Sequence, residues 1–256
     1  MISLQQVFRL RRTNVKCRNM KGGIFSTSVG HKLVMSITGL FLMVFLLVHM
    51  AMNFTILLND VSLFGTHWAE GELYNVGAHF MISNPLVRIM EPLLAAGFIF
   101  HIVYATIITL RNRKRRPIAY EQTSGNQLTE WPSKNMYILG FMVLCFLALH
   151  IMHFFYDIRF TEVDKVMVKG VEMDNTYGLV KSLFTEGSLG IIYSVVYLVA
   201  IILLGLHLRH GFWSAFQTVG WNGRKWIGRL QVISKIYAAI ITIGFAAVPV
   251  YFMIVG

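Results

Sequence analysis

Five runs of about 20 mostly apolar residues, at 33–58, 85–110, 135–157, 189–208 and 232–255, dominate this 256-residue chain. A helix of about 20 residues covers the hydrocarbon of a bilayer, and within lipid a helix satisfies its own backbone hydrogen bonds where no water is present to do so. The charged residues lie between the runs instead of being spread through them as on an amphipathic soluble helix. A composition of 55% hydrophobic and 14% charged residues agrees with that reading. The expected fold is all-α, an integral membrane bundle of five transmembrane helices forming one domain over residues 1–256.

Loops retained in the cytoplasm are enriched in Lys and Arg, so charge orients the bundle. Residues 1–32, 111–134 and 209–235 carry 7, 6 and 5 such residues, against five on the opposite side, where ten of the twelve carboxylates lie. The N-terminus is expected in the cytoplasm and the C-terminus outside. This placement accounts for the net charge of +11, which would otherwise raise phosphate neutralisation; no nucleic-acid partner is expected. Residues 1–32 contain no apolar segment of the kind a cleaved signal requires, so the first run reads as a true span. Cys17 sits in a basic segment and Cys145 inside a run, a placement that does not suit a disulfide.

Two segments stay open. The stretch MISLQQVFRLRR at 1–12 suits either the lipid surface or a docked partner, and 177–184, within the long polar loop expected to cap the outer face, suits a short interfacial helix or irregular chain.

Polar residues inside the runs carry the chemistry. His49, His101, His150, His153 and His207 lie within them, and His210 just past the fourth. An ionisable group in a spanning helix is costly and marks function by default. A lone buried histidine is more often bonded to a nearby carbonyl, but four on four helices that match in depth point to a cofactor. Runs one and three head outward with His49 and His150 past their midpoints; runs two and four head inward with His101 and His207 past theirs. At about 1.5 Å per residue these form an outer and an inner pair, which suits two b-type haems stacked across the membrane. A repeat supports the outer pair: Gly39 to His49 and Gly140 to His150 share Gly, Phe45/Phe146, Leu46/Leu147 and His at fixed offsets. Gly97 and Gly211, each four residues from a ligand, would leave room for a macrocycle or simply let helices pack closely. Two imidazoles on one iron leave no open position, so the chemistry expected is one-electron transfer. His153 and His210, three residues from His150 and His207, share nearly the same helical faces and are alternative ligands. His210 also suits a haem-propionate contact or surface exposure, and His153 a quinone-site or structural role. His31, His67 and His79 read as solvated or interfacial, with His67 a further quinone-site candidate.

These residues, with Ser36-Ile-Thr-Gly-Leu40 leading to His49-Met50, Thr55-Ile-Leu-Leu-Asn-Asp60, and His207-Leu-Arg-His-Gly211 followed by Gly220-Trp221, make the chain resemble the cytochrome b membrane anchor of succinate dehydrogenases and fumarate reductases in its five-helix, two-haem form. The resemblance implies a bacterial inner-membrane protein with two haem b, His49 and His150 ligating the outer and His101 and His207 the inner. It implies partnership with an iron-sulfur subunit and a flavoprotein subunit, and electron exchange with a membrane quinone, menaquinone by this form. It also implies a glutamate after the first helix as quinone proton acceptor, Glu70 first and Glu72 second, either of which also reads as a solvated loop carboxylate. One departure stands out. Where some relatives carry a glutamate two residues before the fourth-run ligand, this chain has Gly205. The rival readings are a cytochrome b anchor of a hydrogenase, formate dehydrogenase or nitrate reductase, and a haem-free proton-coupled membrane protein, which would more often carry intramembrane carboxylates.

Overall fold

A computed structural model describes residues 27–63, 65–115, 131–221 and 223–255. Five helices in it are long and apolar enough to cross a membrane. In chain order the elements are α1 (Ser28–Phe54), a 3-10 turn (Thr55–Leu57), β1 (Val61–Leu63), β2 (Thr66–Trp68), α2 (Glu72–Ser83), α3 (Pro85–Arg115), α4 (Trp131–Lys134), α5 (Met136–His150), a π-helical stretch (Ile151–Tyr156), α6 (Asp157–Phe160), β3 (Lys165–Val168), β4 (Val171–Asp174), α7 (Thr176–Thr185), α8 (Gly187–Thr218) and α9 (Arg224–Val255). The spans are α1, α3, the continuous α5–π–α6 helix, α8 and α9.

Local chemistry sets the ends. Thr27 caps α1 by accepting the Gly30 amide through its hydroxyl at 3.0 Å, which satisfies one of the first-turn donors. Pro85 opens α3, where a missing amide costs nothing. The helices outrun their apolar runs: α8 continues ten residues past 208, and α9 begins eight before 232. The apolar run marks only the most apolar part of each helix, and beyond it charged and aromatic residues such as Arg209, Trp213 and Trp226 continue the helix.

In packing, α8 and α9 form the most extensive pair, and α1 lies against both. Four spans make a square: α1 packs on α3 and α8, α5 packs on α8, and α3 and α5 meet sparsely. Among the described residues, the two diagonals, α1 with α5 and α3 with α8, make little close backbone contact. Two buried apolar groups tie the bundle. Met43, Leu208, Ala238 and Ile241 join α1, α8 and α9; Ile56, Tyr177, Val180, Phe184, Tyr197, Val248 and Phe252 lie where α7 sits on α8 and α9.

One end of the bundle is capped by the segments between α1 and α3 and between α6 and α8. The first contains the antiparallel β1–β2 hairpin and α2, the second the β3–β4 hairpin and α7. The expected cap is there, and 177–184 is helical, but the hairpins and α2 were not anticipated. The β3–β4 turn places Lys169 and Gly170 at φ 49° and 82°, the left-handed pair that a tight hairpin requires. Asn75 of α2, itself buried, stitches the two halves: its side-chain oxygen accepts from the Thr176 hydroxyl at 2.9 Å and the Tyr177 amide at 2.7 Å. The segment at 1–12 and Cys17 lie outside the described residues; Cys145 is free and exposed on α5.

Candidate functional site

The diagonals of the square are where the histidines meet. His49 of α1 faces His150 of α5 with ring centres 5.7 Å apart, and His101 of α3 faces His207 of α8 at 6.3 Å. Helices that scarcely touch through their backbones thus approach through imidazoles at two levels. With metal–nitrogen bonds of about 2 Å on each side and ring centres roughly one ångström behind each nitrogen, two axial imidazoles stand about 6 Å apart. Both pairs match that spacing. Nδ1 of His150 and Nδ1 of His207 are buried without a hydrogen-bond partner, an arrangement that costs free energy in a finished core.

The repeat explains how the levels are set. Gly39 lies beside the His101 ring, and a Cβ there would stand 3.4 Å from its Cε1; Gly140 lies beside His207 in the same way, also at 3.4 Å. Each glycine is ten residues from the histidine on its own helix, so the levels are separated by about 15 Å along the axis. One motif, used twice, therefore serves both pairs: its histidine belongs to one level and its glycine makes room at the other. The repeat phenylalanines also act alike, Phe45 stacking on His49 at 5.3 Å and Phe146 lying 5.8 Å from His150. Phe245 and Phe154 complete the apolar wall of that level. At the other level, Thr38 Oγ1 stands 3.4 Å from His101 Nδ1, the kind of acceptor that orients a ligating imidazole. Gly97 and Gly211 instead abut Phe41 and Met43, so they serve helix packing.

The two spare histidines part from the pairs. The π-helical stretch begins immediately after His150, and its i→i+5 bonding widens the turn. His153 is therefore carried off the face of His150 and towards α8, where its Nδ1 lies 3.0 Å from Tyr197 Oη and its ring 4.8 Å from Tyr193. His210 packs on Trp213 at 5.1 Å. His31 departs from the solvated reading: it is buried in the first turns of α1, with Nδ1 2.8 Å from Arg111 Nη1 and its ring 5.4 Å from Tyr104. His67 is exposed and lies 3.2 Å from Asp60.

No family model, curated protein or solved structure matches this chain. Among the described residues no group of three or more His, Cys, Asp or Glu could hold a metal ion.

Glu70 and Glu72 lie in the cap. Glu70 Oε1 accepts from Tyr177 Oη and Lys181 Nζ, each at 2.9 Å. Lys181 first, and Tyr177 second, hold its carboxyl below the usual glutamate range, while burial and then the Glu70 carboxylate push the Tyr177 hydroxyl up. Gly71 makes this contact available: its φ of 74° turns the chain, and a Cβ there would meet the Tyr177 ring at 2.5 Å. Glu72 accepts the Ala69 amide and pairs with Lys169, both at 3.0 Å, and these hold it below the usual range as well. A carboxylate held anionic stabilises a proton poorly, so both act at least as structural ties of the cap.

Proposed function

We propose that this chain is a dihaem cytochrome b membrane anchor of a succinate:quinone oxidoreductase, of the succinate dehydrogenase or fumarate reductase kind. What carries the reading is the pairing of His49 with His150 and of His101 with His207 across both diagonals at ring separations of 5.7 and 6.3 Å. The resemblance in sequence supplies the partner class: an iron-sulfur subunit, itself served by a flavoprotein subunit, on one side, and a membrane quinone, a menaquinone, on the other.

Two b-type haems would be held by these pairs, and when bound they supply reversible one-electron chemistry. The chain's residues do the rest. The four imidazoles would hold the two groups, His49 with His150 at one level and His101 with His207 at the other. Thr38 orients His101. Phe45, Phe146, Phe154 and Phe245 keep water from the level of His49 and His150, which lowers the cost of passing an electron where reorganising solvent would oppose it. The separation of about 15 Å set by the Gly–His repeat lets the two levels act as a relay across the bilayer. The capped end, which bears most carboxylates, faces outward in a bacterial inner membrane, and the basic end faces the cytoplasm and the iron-sulfur subunit.

A pyridine haemochrome spectrum of the purified chain, quantified per polypeptide, tests this. About two b haems are expected in the wild type, and one fewer in each of His49→Ala and His207→Ala, because each removes one axial ligand of one pair. A folded, partner-bound sample without haem overturns the proposal.

A further inference from the structure

The two arms of the repeat differ where they meet the imidazoles of the other helices. Thr38 precedes Gly39 as Leu139 precedes Gly140. Each glycine lies against the same edge of its ring. A Cβ at Gly39 would stand 3.4 Å from His101 Cε1 and 3.7 Å from its Nδ1, and one at Gly140 would stand 3.4 and 3.8 Å from the same atoms of His207. The residue before the glycine breaks the match. Thr38 Oγ1 stands 3.4 Å from His101 Nδ1, whereas His207 Nδ1 is buried without a hydrogen-bond partner, and the buried Leu139 has no polar side-chain atom to offer it. We infer that this position of the repeat, residue 38 in one arm and 139 in the other, sets the ligand strength of the His101–His207 pair: Thr38 makes His101 the oriented, more basic imidazole, and Leu139 leaves His207 untethered and less basic. The redox consequence rests on the haem reading, whereas the tautomer of His101 stands on hydrogen bonds alone.

A hydroxyl has one proton to give, and Thr38 gives it to the Val34 carbonyl at 2.8 Å, with the Met35 carbonyl at 3.1 Å. Towards His101 its oxygen can therefore only accept. That puts the proton of the His101 ring on Nδ1 and leaves the Nε2 lone pair free for a metal. An acceptor at the second nitrogen fixes the ring and raises the basicity of the first. With Nε2 of His207 as donor, the Nδ1 proton of that ring meets no acceptor. A more basic axial ligand favours the oxidised iron, so hydrogen bonding at Nδ1 lowers the potential of a haem. One threonine and one leucine thus poise this level between the values that two threonines or two apolar residues would give. The other level is a built-in control. Residues 38 and 139 are each eleven positions from the histidine on their own helix, about 16 Å along the axis.

Threonine and valine have nearly the same shape, so the test compares them at both positions. Wild type is set against Thr38→Val, and Leu139→Thr against Leu139→Val, each as the full chain in lipid nanodiscs under spectroelectrochemical titration. The His49→Ala chain identifies the midpoint of the His101–His207 level. At a fixed potential near that midpoint, Thr38→Val is expected to raise the ratio of reduced to oxidised haem about tenfold, and Leu139→Thr to lower it about tenfold relative to Leu139→Val. Each is a shift of about 59 mV for a one-electron couple. Thr38→Ser, which keeps the hydroxyl, should stay with wild type, and the His49–His150 midpoint should move far less. Equal midpoints for wild type and Thr38→Val, or a larger shift at the His49–His150 level, overturns the inference; where a variant at 139 holds no haem, the comparison at 38 decides alone. Solid-state NMR of the reduced, 15N-histidine-labelled chain gives a second readout: a protonated, hydrogen-bonded Nδ1 at His101, whose shift changes in Thr38→Val. A wild-type chain that binds no haem overturns the haem reading instead, and NMR then decides. A His101 Nδ1 signal indifferent to residue 38 overturns the inference, and one that follows it upholds the positioning role of Thr38.

Discussion

Gly140 separates the geometry of this site from its sequence order. It lies on the same helix as His150, yet its Cα faces the ring of His207, where a Cβ would stand 3.4 Å from Cε1. Alanine fits at ordinary contact, but a larger side chain drives into the imidazole and, under the proposed haem reading, would displace a ligand of the other level. Gly140→Leu is therefore expected to lose the haem of the other level and keep its own helix's: one haem of about two remains, with a reduced-minus-oxidised spectrum matching His207→Ala and not His150→Ala. The opposite match would show that the glycine serves its own helix's histidine. The four paired histidines were legible because polar rings inside apolar runs are conspicuous, and because counting residues along helices of known direction gives depth. The partners of Gly39 and Gly140 were not, since they lie on other helices and depend on how the spans cross. The departure of His153 from His150 was hidden for another reason: an apolar run carries no signal that separates i→i+5 from i→i+4 bonding.

At the scale of elements, the close seam between α8 and α9 explains the departure at Gly205. This glycine is buried, and a Cβ in its place would collide with Thr242 Oγ1 and stand 3.4 Å from Thr242 Cβ. A glutamate has no room at that seam, so under the proposed function no proton route through a carboxylate at that position is open. Gly205→Ala is expected to destabilise by about 1–3 kcal/mol, the usual range for overpacking, read as a lower thermal midpoint in detergent. Thr242→Ala in the same chain should recover most of the loss; failure to recover would mean that the seam is not what constrains residue 205. The five spans were readable because length alone separates a bilayer-crossing helix from other apolar segments. Their true ends were not, because a helix continues past the hydrocarbon boundary without needing apolar residues. The hairpins of the cap were equally hidden: strands of three and four residues are too short to establish an alternation, and a glycine at each turn, Gly65 and Gly170, does not by itself define a hairpin.

Across the whole molecule, charge and architecture divide along the same axis. The capped end holds both hairpins, the Asn75 stitch and the cavity beside His153, together with ten of the twelve carboxylates, while 18 of 23 Lys and Arg fall in residues 1–32, 111–134 and 209–235 of the sequence. Under the proposed function, and with the positive end cytoplasmic, electrons from a soluble partner would enter beside His101 and His207, and the level of His49 and His150 would serve the quinone. The relay therefore has a direction in space that follows from topology, and topology can be measured apart from haem. In a Cys17→Ser, Cys145→Ala background, Glu172→Cys on β4 should react with a membrane-impermeant maleimide in intact spheroplasts, whereas Lys225→Cys at the start of α9 should react only after permeabilisation. Both residues are exposed, so differences in labelling report sidedness instead of burial. The reverse pattern would place the cap and the cavity in the cytoplasm, and a soluble iron-sulfur partner would then meet the bundle at the level of His49 and His150.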